Sequence, residues 1–173
     1  MSAPGQEPAE VALPSDREVL VTRTFQAPRE LVFRAWTEPD LMRRWLTGMP
    51  GWTMPVCEMD LRPGGRYRWG WRSEADGLQF GFHGVFQEVE PPARIRHTQT
   101  FDPGTMGGSM TESGEAIITL TLEERDGVTT ARTRIEYASE EARDAALATG
   151  MTDGMEISYR MLDELLAEGA ASG

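Results

Sequence analysis

Residues 66–72, Arg-Tyr-Arg-Trp-Gly-Trp-Arg, alternate rings with arginine and glycine and constrain the chain more than any other stretch. In an extended strand successive side chains point to opposite faces. Tyr67, Trp69 and Trp71 therefore share one face and Arg66, Arg68 and Arg72 the other, which gives a sheet with one bulky aromatic side. The next extended run carries Phe80, Phe82 and Phe86, interrupted by Gly81 and Gly84, and the run after it sets Ile95, His97, Gln99 and Phe101 on one side. A face of rings with a histidine and a glutamine among them is part apolar and part polar, as ligand pockets commonly are.

The rest of the chain supplies more strands and a few helices. Val19, Val21 and Phe25 recur at a period of two and predict a first strand within 17–26, ended by Pro28. Leu31, Val32, Ala35 and Trp36 follow at helical spacing; Thr37-Glu38-Pro39 stops that helix, and a second short one is expected over 40–46. Further strands are predicted at 54–61, 66–73, 79–89, 94–101, 115–123 and 128–137. The turn chemistry between most of them, including Glu124-Arg125-Asp126-Gly127, makes neighbours antiparallel. Residues 102–114 hold four glycines and two methionines without periodicity and are read as a loop, a candidate lid. Ser139 is a good N-cap with Glu140 and Glu141 behind it. Beyond Gly150, Met151, Met155, Ser158, Tyr159, Leu162, Leu165 and Leu166 form one stripe of an amphipathic helix, with the charged residues largely elsewhere. That stripe needs an apolar partner, and the aromatic sheet face is the available one.

A chain of 173 residues fits one compact domain over 17–168, with a disordered leader at 1–16 and a frayed tail at 169–173. The net charge of −11 repels phosphate backbones and anionic headgroups, so neither nucleic acid nor a membrane surface is an expected partner. Cys57 is the single cysteine, which excludes an internal disulfide. With no secretory signal pattern and no apolar run of about 18 residues, a cytoplasmic protein is expected. Nucleophile elbows, phosphate-binding glycine loops and zinc-ligand spacings are missing, and no cofactor is expected.

The order strand, two short helices, six strands, long amphipathic helix is that of the helix-grip fold, an α+β architecture. In it a curved antiparallel sheet, here of about six or seven strands, wraps the last helix and leaves a cavity. The segments 36–45, Asp60-Leu61-Arg62-Pro63-Gly64-Gly65-Arg66-Tyr67, 84–94 and 150–166 resemble the START-like (SRPBCC) superfamily. Within it they are most similar to the family named after the activator of the heat shock protein 90 ATPase. The resemblance implies binding of a small hydrophobic or aromatic molecule between the last helix and the sheet. The co-chaperones that name the family carry a further N-terminal domain, where this chain has a 16-residue leader, so direct chaperone contact is not expected.

Candidate ligand-binding residues are the large side chains expected on the inner walls: Trp45, Trp52, Trp69, Trp71, Phe82 and Phe101, with His97 and Gln99 as polar handles. Met106, Met151, Met155 and Tyr159 add adaptable contacts from the loop and the last helix. His83, His97 and Glu88 are weighed as a metal or acid-base group and set aside, because alternation puts the two histidines on opposite faces. The arginines of 66–72, with Arg94 and Arg96, read as a solvated outer face, and Cys57 as a small buried hydrophobe. The expected role is non-catalytic binding. The alternatives are a chaperone-linked stress-response interaction protein and a cyclase- or hydrolase-like enzyme using His97, Tyr159 or Glu88. An exposed sheet edge or the first helices offer a surface for a homodimer.

Overall fold

A computed structural model describes residues 8–46, 51–102 and 115–172. The elements, in chain order, are β1 (Glu10–Ala12), β2 (Glu18–Phe25), α1 (Arg29–Thr37), α2 (Pro39–Trp45), β3 (Trp52–Met59), β4 (Arg66–Ser73), β5 (Gln79–Glu90), β6 (Arg94–Asp102), β7 (Glu115–Arg125), β8 (Val128–Glu136), α3 (Glu140–Ala148) and α4 (Met151–Ser172). The strands form one antiparallel sheet in the order β1-β2-β8-β7-β6-β5-β4-β3. This is the expected helix-grip architecture, with eight strands in place of six or seven. The extra strand is β1, where a disordered leader was expected: Glu10, Val11 and Ala12 pair with Thr22, Val21 and Leu20. α4 likewise runs helical to Ser172, through positions read as a frayed tail.

Local chemistry accounts for the joints. Asp126 and Gly127 both take positive φ, 53° and 78°, between the paired Arg125 and Val128, the geometry of a two-residue hairpin turn. The Ser139 hydroxyl accepts from the Ala142 backbone N–H at 3.1 Å and caps α3. Gly150, at φ 80°, separates α3 from α4, a conformation that a side chain would make costly. Pro55 lies in β3, an edge of the sheet, where its missing N–H breaks no ladder bond.

The inner sheet face and the stripe of α4 bury the main core, including Val19, Val21, Phe25, Ile118, Leu120, Leu122, Leu162 and Leu166. A second, smaller core of Met42, Met54, Cys57 and Trp71 sits where α2 meets β3 and β4. Cys57 is 6% exposed with its Sγ 3.9 Å from Met42 Sδ, and burial pushes its thiol pKa up. The outer face is polar: Arg66, Arg68 and Arg72 are exposed as alternation requires. Among the described residues no helix is long and apolar enough to cross a membrane.

Candidate functional site

The inner face has two ends. Beneath β2 it is sealed. Phe25, Trp36, Trp45 and Tyr159 pack ring against ring, with centroids 4.7 Å apart for Trp36 and Trp45 and 6.3 Å for the stacked Trp45 and Tyr159. The Trp45 indole N–H donates to Ala35 O at 2.8 Å and ties α2 to α1. Trp45 is 1% exposed and Tyr159 4%, so no space for even a water borders most of their surfaces. These two residues, expected to line a cavity, are core. The physical reason is that α1 and α2 fold over this end and fill it.

Arg23 anchors the sealed end. It lies in phase with Val19, Val21 and Phe25 on the inner face, 2% exposed, and reaches two carboxylates of α4. Its Nε is 3.2 Å from Glu156 Oε1 and its Nη2 is 2.7 Å from Asp163 Oδ2. Glu156 Oε1 also accepts the Ala9 backbone N–H at 2.9 Å, joining the residue next to β1 to the same cluster. Burial raises Asp163 above the ordinary aspartate range, more than its bond to Arg23 lowers it. Burial acts the same way on Glu156, but there the bonds from Arg23 and Ala9 outweigh it and the net shift is downward. The cation sits over the Phe25 ring at 5.1 Å. Sequence reading missed this cluster, although an arginine in register with buried valines was its signal.

Under β3 to β6 the face is less closed. Trp52, Trp69, Phe80, Phe82, Gln99 and Phe101 are all half-buried and keep accessible surface. Register makes them neighbours: Trp69 opposes Phe82, Trp71 opposes Phe80, and Phe82 opposes Phe101. Ring centroids are 5.5 Å apart for Phe82 and Phe101 and for Trp52 and Phe80, edge-on or tilted arrangements that aromatic pairs favour. Trp71 belongs less to this wall than expected: it is 8% exposed, and its indole N–H donates to Leu46 O at the end of α2, at 2.9 Å. Met151 and Met155 are half-buried against the main core, and Tyr137 Oη lies 3.3 Å from Met151 Sδ. Met106 falls outside the described residues, as does the candidate lid over 102–114 apart from Asp102, which ends β6.

A polar centre lies between the two ends. The Tyr67 hydroxyl donates to Thr98 O at 2.5 Å, and His97 Nδ1 is 3.0 Å from both Tyr67 Oη and Thr98 O. With its one proton given to Thr98, the hydroxyl can only accept from His97, so Nδ1 carries the imidazole hydrogen and Nε2 the lone pair. Burial pushes His97 down to about 4, only partly offset by Thr98 O, and burial raises Tyr67. The ring is therefore neutral near pH 7. A register shift between Phe86 and Glu88 accompanies this centre, and the Thr98 hydroxyl accepts the Val85 N–H at 2.9 Å. Gly84 is obligatory there, since a Cβ would come within 2.1 Å of Thr98 O.

Several expected groups do not come together. His83 is exposed on the outer face, and Glu88 pairs with Arg94 at 3.3 Å. Neither meets His97, and Tyr159 lies in the sealed end. Gln99 opposes the small Ala116, and its side-chain amide has no hydrogen-bond partner among the described residues.

The sequence matches, over residues 26–167, the family described as activator of Hsp90 ATPase homolog 1-like protein. The chain belongs to that family. A protein of known crystal structure from Rhodobacter sphaeroides is 33% identical, with a TM-score of 0.82 and coverage of 92% of this chain and 99% of that one. One from Mycobacterium smegmatis is 25% identical, with a TM-score of 0.80 and coverage of 92% and 97%. An AHSA1-like protein from Aeromonas hydrophila shares the fold at 20% identity, with a TM-score of 0.64 and coverage of 84% and 93%. Comparison with curated proteins finds no match. Family membership accounts for the helix-grip scaffold, a fold that commonly takes hydrophobic ligands, and leaves the particular role of this chain to its own residues.

Proposed function

We propose that the chain binds a small, uncharged hydrophobic or aromatic molecule between α4 and the sheet, in the cytoplasm and without catalysing a reaction on it. The bound molecule lies against Trp52, Trp69, Phe82 and Phe101. One observation carries this reading: the rings of this end retain accessible surface, while the other end of the same face is sealed by Trp45 and Tyr159. Half-exposed rings of this number in one place are costly to leave in water, and their burial by a ligand is favourable. The inner end offers one neutral histidine, and the titratable group beside it, the Tyr67 hydroxyl, is kept protonated by burial, which favours holding a molecule over acid-base chemistry on it.

The test is thermal stabilisation of the full chain by a panel of one- to three-ring compounds and fatty acids. At 100 times its dissociation constant a ligand adds about 2.7 kcal/mol, several degrees in melting temperature for a protein of this size. Stabilisation by ring compounds that is lost in Phe82→Ser and Phe101→Ser supports the reading. No shift with any compound at millimolar concentration refutes it.

A further inference from the structure

The indole N–H groups sealed inside this protein are treated unequally. Trp45 and Trp71 each give theirs to a backbone carbonyl, Ala35 O and Leu46 O. Trp69 Nε1 is buried and has no hydrogen-bond partner. A buried donor left unpaired is destabilising, and such exceptions in a folded protein call for a partner. The ring itself is not misplaced: it packs on Tyr67 at 4.4 Å, sits edge-on to His97 at 5.7 Å and opposes Phe82 in the ladder. Rotating it to find an acceptor would break those contacts. Trp69 also lies at the junction of the two core clusters, at the inner edge of the half-exposed wall.

Two further features restrict what can meet this N–H. The neighbouring His97 offers no positive charge: its ring, edge-on to Trp69, is neutral, with Nδ1 engaged by Tyr67 and Thr98 and a lone pair left on Nε2. A lone pair repels an anionic oxygen, and a neutral imidazole cannot balance one. Among the described residues the one buried inner-face cation, Arg23, is spent on Glu156 and Asp163 at the other end. A carboxylate or phosphate would enter without a counter-charge, which is prohibitive in a desolvated site.

Given a ligand on this wall, as proposed above, we infer that it is an uncharged aromatic compound bearing a hydrogen-bond acceptor oxygen, a ketone, aldehyde or ester carbonyl, which parts the side chains covering the buried Trp69 indole N–H and accepts from it. The rings of Phe82 and Phe101 hold its flat body and Trp69 fixes its orientation.

The experiment compares three two-ring probes with the full chain: naphthalene, 2-acetonaphthone and 2-naphthoate. Affinities come from titrations followed by 15N-resolved NMR, which also reads the Trp69 indole N–H directly. The expected result is 2-acetonaphthone binding roughly five- to tenfold tighter than naphthalene, the increment of one hydrogen bond, with 2-naphthoate weakest. The Trp69 indole proton moves downfield with 2-acetonaphthone alone. In Trp69→Phe, which keeps a ring and removes the donor, the ratio of ketone to naphthalene affinity falls to about one, whatever affinity the two then share. Equal affinities for naphthalene and 2-acetonaphthone, or an unmoved Trp69 resonance in the wild-type complex, overturns the inference while leaving the binding site intact; an N–H that stays covered by its neighbours gives that outcome. If none of the three binds, the site itself is refuted, and this inference with it.

Discussion

Arg23 and Asp163 meet at 2.7 Å across the interface between β2 and α4, with the arginine 2% exposed. Through this contact and the one to Glu156, charge holds the last helix against β2 on either side of Tyr159, which packs on Phe25, Trp36 and Trp45.

Removing the cation strands two carboxylates. Arg23→Ala is expected to lower stability by about 3–5 kcal/mol, read from chemical denaturation, because breaking a buried ion pair leaves uncompensated charge. The triple change Arg23→Met, Glu156→Gln and Asp163→Asn should cost clearly less than the single one. A single variant as stable as wild type would mean that water already solvates the cluster.

His97 gives a pH dependence with a definite sign. Its folded pKa, lowered by burial to about 4, lies below the ordinary histidine value of 6.5. Between those values the unfolded chain binds the proton and the folded one does not, so stability rises with pH across this window and falls on acidification. The full contribution is about 3 kcal/mol at 1.36 kcal/mol per pKa unit. His97→Asn, whose amide can still donate to Tyr67, should flatten the profile between pH 4 and 6.5. An unchanged slope in that variant would assign the dependence to carboxylates instead.

The two ends of the inner face should respond differently to truncation. Trp45→Ala removes a ring that is 1% exposed and its bond to Ala35 O, and is expected to cost about 3–5 kcal/mol. Trp52→Ala removes a half-buried ring with one edge contact to Phe80 and should cost about 1 kcal/mol, while weakening ligand binding. Equal melting temperatures for the two variants would contradict the division into a sealed and an open end.

Gly81 pairs with Gly70 in the ladder and lies against the Trp69 carbonyl. A Cβ there would stand 2.2 Å from Trp69 O and 3.2 Å from Gly70 Cα, backbone atoms that cannot turn aside. Gly81→Ala must spread β4 from β5 and is expected to cost about 1–3 kcal/mol by thermal unfolding, with loss of ligand affinity as the wall shifts. Gly77→Ala has open space and serves as a comparison for a turn glycine at positive φ.

Much of this architecture is legible in the residues themselves, because period two and period 3.6 are local signals. Tyr67, Trp69 and Trp71 point inward while Arg66, Arg68 and Arg72 point out, as alternation alone requires. Ser139 caps a helix, and the stripe Tyr159, Leu162, Leu165 and Leu166 faces the core. β1 escaped because three residues show no periodicity and its partner is ten residues away. The Arg23 cluster escaped for a different reason: Glu156 and Asp163 lie off the apolar stripe of α4, and only the crossing of that helix over β2 makes them inward-facing. Trp45 and Tyr159 were assigned to a cavity because size and aromaticity do not distinguish a ring that lines a space from one that fills it. The Tyr67 bond to Thr98 depends on an irregular β5–β6 register that no residue pattern announces.

The most direct measurement is a crystal structure of the full chain grown with saturating 2-acetonaphthone. The account predicts a flat two-ring density against Trp69, Phe82 and Phe101, with its carbonyl oxygen within hydrogen-bond distance of Trp69 Nε1. Those three rings closed onto neighbouring side chains, with the compound absent from the space between α4 and the sheet, would contradict it.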